Sequence, residues 1–177
     1  MHFEELKTNI IGLVKESQIK LGYSKTPINL YYPAEAIHTL LDSTRSIPDL
    51  EAALRDFSDY ACDELGKITF SRKDDMFCIT IPETGVEYVH ENIENSGFLE
   101  AFIACISDGH CSVDDIIAVF HRFSDHVTVQ KTTHDEFDYL IYFTDGTPDS
   151  YRYCLHNEFG HMVYHRFTPK EFEKFHF

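Results

Sequence analysis

Phe3, Leu6, Ile10, Leu13 and Val14 recur mostly at three- and four-residue steps, which predicts an amphipathic helix from Phe3 to Leu21 with Gly22 as its stop. The stretch from Tyr23 to Leu30 has little periodicity. Pro33 then stands where a short helix carrying Ile37, Leu40 and Leu41 begins, ending near Ser43. Ser46 with Asp49 makes a capping-box-like start for a longer helix whose apolar stripe is Leu50, Leu54, Phe57, Ala61 and Leu65, closed by Gly66. Lys67 to Arg72 and Met76 to Ile81 read as a hairpin turning through Lys73-Asp74-Asp75, with Pro82 ending its second strand. Val86, Val89 and Ile93 space another helix. The almost wholly apolar Phe98 to Ile106 reads as a helix buried on most sides, and Ser112 and Asp115 open a further one running to about Phe123.

From His126 onward the period changes to two. Val127 and Val129 mark one strand, and Phe137, Tyr139, Ile141 and Phe143 line one face of the next. After the Asp145-Gly146 turn, Tyr151, Tyr153 and Leu155 mark a third strand and Val163, His165 and Phe167 a fourth, with Glu158-Phe159-Gly160 in the connection. Thr168-Pro169-Lys170-Glu171 combines an N-cap, a proline at the first helical position and an acid at the third, so a short helix ends the chain. Helices come first and last, and no strand-helix-strand alternation follows residue 126. The expected class is therefore α+β: N-terminal helices on a mainly antiparallel sheet, made of one hairpin plus a four-strand meander, with a short C-terminal helix. No repeat, low-complexity tract or linker divides the 177 residues, and the expectation is a single domain, 1–177.

Composition narrows the partners. With 43% hydrophobic and 14% aromatic residues the chain has material for a packed core. Thirty carboxylates against fifteen Lys and Arg give a net charge of -15, which repels phosphate backbones and anionic membranes and attracts basic partners. Nucleic acid and membrane are thus excluded as expected partners, leaving a protein or a small molecule. The Met1-His2-Phe3-Glu4-Glu5 start lacks the basic and apolar regions of an export signal, and the longest oily stretch is far too short to span a bilayer. The expected location is cytoplasmic. Five cysteines, Cys62, Cys78, Cys105, Cys111 and Cys154, without a C-x-x-C pair, fit reduced and mostly buried thiols.

Candidate chemistry concentrates in His156-Asn157-Glu158-Phe159-Gly160-His161, with His165 four residues on. The zincin motif is absent, because it needs two histidines at i and i+4 on one helix with Glu directly after the first. Were the segment helical, Glu158, His161 and His165 would line one face; as a strand, which the alternation favours, His161 and His165 share a face but stand roughly 13 Å apart. A hairpin turning over Asn157 to Gly160 would set His156 opposite His161 with Cβ atoms about 4.5 to 5.5 Å apart, and Cys154 on the same face. Cys154, His156 and His161 are then the candidate ligands of a transition metal, with His110-Cys111 as a further donor pair and Glu158 as a candidate general base. The bland alternative is a polar sheet face. No cofactor is required by the sequence.

Elsewhere the patterns are structural. His121 and His126 bracket a helix-to-strand junction beside Asp125, His90 falls near the apolar face of its helix as a core histidine, and His38 has no visible partner. Neither a G-x-S-x-G elbow nor a Cys/His protease signature is present, and Ser107-Asp108-Gly109-His110 reads as a turn between helices rather than a phosphate loop. Paired acids such as Asp114-Asp115 stand in first helical turns or turns, where they are locally favoured. The aromatic residues Phe137, Tyr139, Phe143, Tyr151 and Tyr153 are expected to pack the sheet on its helices, a ligand pocket or partner surface being the functional alternative.

The phrases Pro33-Ala34-Glu35-Ala36-Ile37-His38, Pro82-Glu83-Thr84-Gly85-Val86-Glu87-Tyr88-Val89-His90 and Phe120-His121-Arg122-Phe123 resemble an uncharacterised bacterial family of unknown function, family 3877, over nearly the whole chain. The resemblance implies no activity and no site. The leading expectation is a non-enzymatic acidic binding or interaction domain. A small metal-dependent hydrolase-like enzyme with its site on the 154–161 hairpin is the alternative, and an acidic inhibitor of a basic protein is a third reading.

Overall fold

The computed structural model describes residues 3–44, 46–94 and 96–174, and the chain divides into two compact units, Met1–Glu94 and Asn95–Phe177. The class is α+β, with eight helices and two antiparallel sheets among the described residues.

The first unit is built from α1 (Phe3–Leu21), β1 (Ile28–Pro33), α2 (Ala34–Leu41), α3 (Ile47–Tyr60), α4 (Cys62–Leu65), β2 (Thr69–Lys73), β3 (Met76–Ile81) and α5 (Glu83–Asn92). Leu6, Ile10 and Val14 of α1 enter the core as their spacing predicts. Three polar residues of α1 are buried with them, and each has a partner: Asn9 accepts from the Tyr32 hydroxyl at 2.7 Å, Glu16 accepts from the Lys20 ammonium at 2.7 Å, and the Gln18 amide donates to the Val86 carbonyl at 2.8 Å. Ser46 caps α3 through the Asp49 amide. The predicted helix to Leu65 is interrupted at Ala61, whose non-helical backbone separates α3 from α4.

The expected hairpin is present, but it belongs to a three-stranded sheet of order β1-β3-β2. β1 is the addition. Ile28, Leu30 and Tyr32 alternate with more exposed residues and pair antiparallel with β3, whose Phe77, Ile79 and Ile81 face the core. Pro33 ends this edge strand, where its missing N–H costs no ladder bond, and then serves as N-cap of α2. Gly85 lets α5 approach the rest of the unit, because a β-carbon there would overlap the Leu65 carbonyl and the Ile81 side chain. His90 is exposed and stacks on Tyr23 with ring centroids 3.8 Å apart, so it is not the core histidine expected.

The second unit contains α6 (Phe98–Ser107), α7 (Val113–Phe123), β4 (Val127–Lys131), β5 (Tyr139–Phe143), β6 (Arg152–Glu158), β7 (His161–Phe167) and α8 (Pro169–Phe172). The strands form the expected meander in the order β4-β5-β6-β7. Capping boxes start α7 at Ser112 and α8 at Thr168. α6 buries one face, Phe98, Leu99, Phe102 and Ile103, rather than most of its surface. Its aromatic rings join those of α7 and one sheet face: Phe98 meets Phe120 and Phe143 at 4.8 Å each, and Phe102 meets Tyr153 at 4.7 Å, all edge-on. The other face carries Leu140, Cys154 and the more exposed His156, His165 and Phe167, with Phe137 lying over them. Among the described residues no helix is long and apolar enough to cross a membrane.

Candidate functional site

The histidine hairpin does not have the register anticipated for it. β6 runs two residues further than a turn over Asn157 to Gly160 would allow, so the turn is only Phe159-Gly160, both at positive φ (51° and 87°). This is the two-residue connection that suits the strand twist. Glu158 consequently pairs with His161 and His156 with Val163, while Cys154 pairs with His165. His156 and His161 are therefore not opposite one another, and Cys154 lies four pairs from His161, roughly 13 Å along the strands.

Each of the three candidate ligands has a different surrounding. Cys154 is fully buried beside Phe137 and Leu140, and burial pushes its thiol up to about 12, so it remains protonated. His156 stacks on His165 at 5.8 Å and meets the edge of Phe137; its Nδ1 is buried without a hydrogen-bond partner. His161 is exposed, and its Cε1 lies 3.9 Å from where a β-carbon on Gly109 would stand, so it borders the turn between α6 and α7. Among the described residues no group of three or more His, Cys, Asp or Glu side chains is placed to hold a metal ion.

A concave site lies on the other face of the sheet. One wall is the α6–α7 turn, Gly109 to Val113, folded by bonds from the Asp108 amide to the Cys105 carbonyl (3.1 Å) and from the Cys111 amide to the Asp108 carbonyl (2.9 Å). The Asp108 carboxylate accepts from the His110 amide, and Asp115 accepts from both the hydroxyl and the amide of Ser112. Those bonds from Ser112 hold the Asp115 carboxyl below its usual range. Facing this wall are Lys131, Tyr139, Asn157 and Met162, which the pairing of β4, β5, β6 and β7 brings to one end of the sheet. The cleft measures about 610 Å³.

Its floor is well braced. The Asp138 carboxylate accepts from the Asn157 amide at 3.0 Å, the Asp138 amide donates to the Leu155 carbonyl, and the Asn157 side-chain oxygen accepts from Gly160 at 2.9 Å. Cys111, on the wall, is held protonated: burial, then the hydrogen bond to Cys105 and its charge, push the thiol up to about 12. A thiol of that kind is a poor nucleophile. Chemically, the cleft offers an ammonium group, an imidazole at His110, a phenol, an amide, an apolar thioether and the Asp138 carboxylate, already bonded to the Asn157 amide, which suits recognition of a small polar molecule.

Of these residues, sequence reasoning reached His110 and Cys111 as a donor pair and Tyr139 as a sheet aromatic. Lys131, Asn157 and Met162 were missed as a group. They are scattered over three strands, and only the register makes them neighbours.

A protein-family model described as "Domain of unknown function, E. rectale Gene description (DUF3877)" matches residues 3–176. The chain belongs to this family. Membership in DUF3877 agrees with the resemblance carried by the phrases around Pro33, Pro82 and Phe120, and it covers both units. No curated protein and no solved structure matches the DUF3877 chain.

Proposed function

We propose that the chain is a non-enzymatic binding domain whose ligand is a small polar molecule with an acidic group, taken up in the cleft of the second unit. The observation that carries this reading is the convergence of Lys131, Tyr139, Asn157 and Met162 opposite the Gly109–Val113 wall, around about 610 Å³. That volume falls within the range of small-molecule sites. Lys131 meets the acidic group, Asn157 and Tyr139 exchange hydrogen bonds with the remainder, and Met162 covers its apolar part. The protonated Cys111 thiol supports a binding rather than a nucleophilic role. The carboxylate excess supports a ligand other than nucleic acid. The continuous family match supports treating the two units as parts of one domain.

The test is a thermal-shift screen of the intact chain against small dicarboxylates, amino acids and sugar phosphates, repeated with Lys131→Glu. A ligand at a hundred times its Kd stabilises by about 2.7 kcal/mol. The expected result is a hit whose stabilisation disappears in the variant while the ligand-free melting temperature stays within a degree or two. A hit unaffected by Lys131→Glu, or no hit in any of the three classes, overturns the assignment.

A further inference from the structure

The two cysteines that flank the α6–α7 turn are not used by the cleft's recognition chemistry, and their arrangement has its own logic. Cys105 stands in the last turn of α6 and Cys111 just before the Ser112 N-cap of α7. The two successive turn bonds through Asp108 fold the chain back so that the Sγ atoms approach to 2.6 Å. Both thiols are free and half-buried. A disulfide requires about 2.05 Å, so bond formation needs a displacement well under the width of an atom. The Gly109 between them is unhindered: the nearest atom to a β-carbon there would be His161 Cε1 at 3.9 Å, so the turn has room to adjust.

We propose that Cys105 and Cys111 form a reversible dithiol–disulfide pair, oxidised by low-molecular-weight disulfides, that fastens the end of α6 to the start of α7. Reagents reach both sulfurs. Cys111 lines the 610 Å³ cleft, and Cys105 lines a separate depression of about 550 Å³ together with Arg122 and Asp115. Burial pushes the Cys111 thiol up to about 12, so Cys105, whose sulfur faces it at 2.6 Å, makes the first attack.

The steps balance. The Cys105 thiolate attacks one sulfur of the small disulfide, breaking its S–S bond, forming a mixed disulfide and releasing one thiol. With Cys105 tied up in the mixed disulfide, its charge no longer helps to hold the Cys111 proton; Cys111 gives that proton up, attacks the Cys105 sulfur and expels the second thiol. One protein S–S bond forms, two electrons and two protons leave the cysteine pair, and the small disulfide is reduced to two thiols. Oxidation would tie down the Gly109–Val113 wall, but the pairing itself does not depend on what the cleft binds.

The experiment holds the reduced, intact chain in graded mixtures of oxidised and reduced glutathione, quenches with acid, alkylates and digests without reduction. The peptide containing both cysteines should become two hydrogen masses lighter and resist alkylation. This should occur at an oxidised glutathione level roughly tenfold or more below that which modifies the exposed Cys62, because the second thiol is already in place. Dithiothreitol should restore both thiols. In Cys111→Ser, with unchanged circular dichroism, the cross-link is lost and glutathione stays attached to Cys105. A wild-type chain that carries glutathione on Cys105 or Cys111 without closing the bond overturns the proposal. So does closure only at the level that modifies Cys62.

Discussion

The ring of Phe137 meets the imidazole of His165 edge-on, with centroids 5.5 Å apart at 67°, and it touches His156 and Phe167 in the same way. Phe137 thereby lies over one face of the second sheet and partly removes His165 from water. Burial, then the neighbouring His156, lowers the His165 pKa below the ordinary 6.5. The unfolded chain therefore takes up this proton at a higher pH than the folded one, so this contribution is complete above 6.5 and is lost as pH falls from there through the lowered value. The urea midpoint should drop between about pH 7 and pH 5, and His165→Gln should flatten that slope. A midpoint independent of pH across that interval would show that Phe137 does not shield the imidazole.

Phe159 sits at φ 51° and is 94% exposed at the tip of the β6–β7 turn. The left-handed conformation costs a bulky residue about 1–2 kcal/mol, and exposure returns nothing for it. Asn followed by Gly is the favoured pair for such a turn. Phe159→Asn should stabilise the chain by roughly 1 kcal/mol in urea unfolding. Destabilisation would mean that the phenyl ring contributes to folding.

Gly85 poses the opposite case. In a helix interior Ala is ordinarily preferred over Gly by about 1 kcal/mol. Here the added carbon meets a backbone carbonyl, which no side-chain rotation relieves. Overpacking of this kind costs about 1–3 kcal/mol before the propensity gain is subtracted, and with the backbone as the obstacle the upper end applies. Gly85→Ala should lose roughly 2 kcal/mol, read as a lower denaturant midpoint at unchanged slope.

Tyr153 is fully buried, and its hydroxyl donates to the Asp149 carboxylate at 2.9 Å. Burial, reinforced by the charge of Asp149, raises its pKa well above 10 against the opposing effect of Arg166. Ultraviolet titration should therefore show Tyr153 still protonated where ordinary tyrosines have ionised. Tyr153→Phe should cost about 1.5–3 kcal/mol, the worth of a hydrogen bond to a charged partner. A loss below about 0.5 kcal/mol would show that water replaces the phenol at Asp149.

Locally encoded features were legible in the sequence. Ser46, Ser112 and Thr168 cap helices because the bond each makes reaches an amide only three residues away. β1 was not legible, since its partner β3 lies about fifty residues on and its alternation is diluted by exposed Tyr31 and by Pro33. The cleft failed for a related reason. Lys131, Tyr139, Asn157 and Met162 converge through three strand pairings, and the last depends on where the chain turns. A phenylalanine in a left-handed turn position is not a residue that announces a turn.

That turn also governs which side of β7 is which. Side chains alternate along a strand, so the two-residue tip places His161, Val163, His165 and Phe167 on the histidine side and Met162, Tyr164 and Arg166 on the helix side. Adding or deleting one residue at Phe159-Gly160 would exchange these two sets throughout the strand. Tyr164, which now stands edge-on to Phe102 at 4.8 Å, would leave the helices, and Val163 or His165, according to the direction of the change, would take its place against the aromatic core. The length of this exposed loop is therefore constrained by the interior of the unit rather than by its surface.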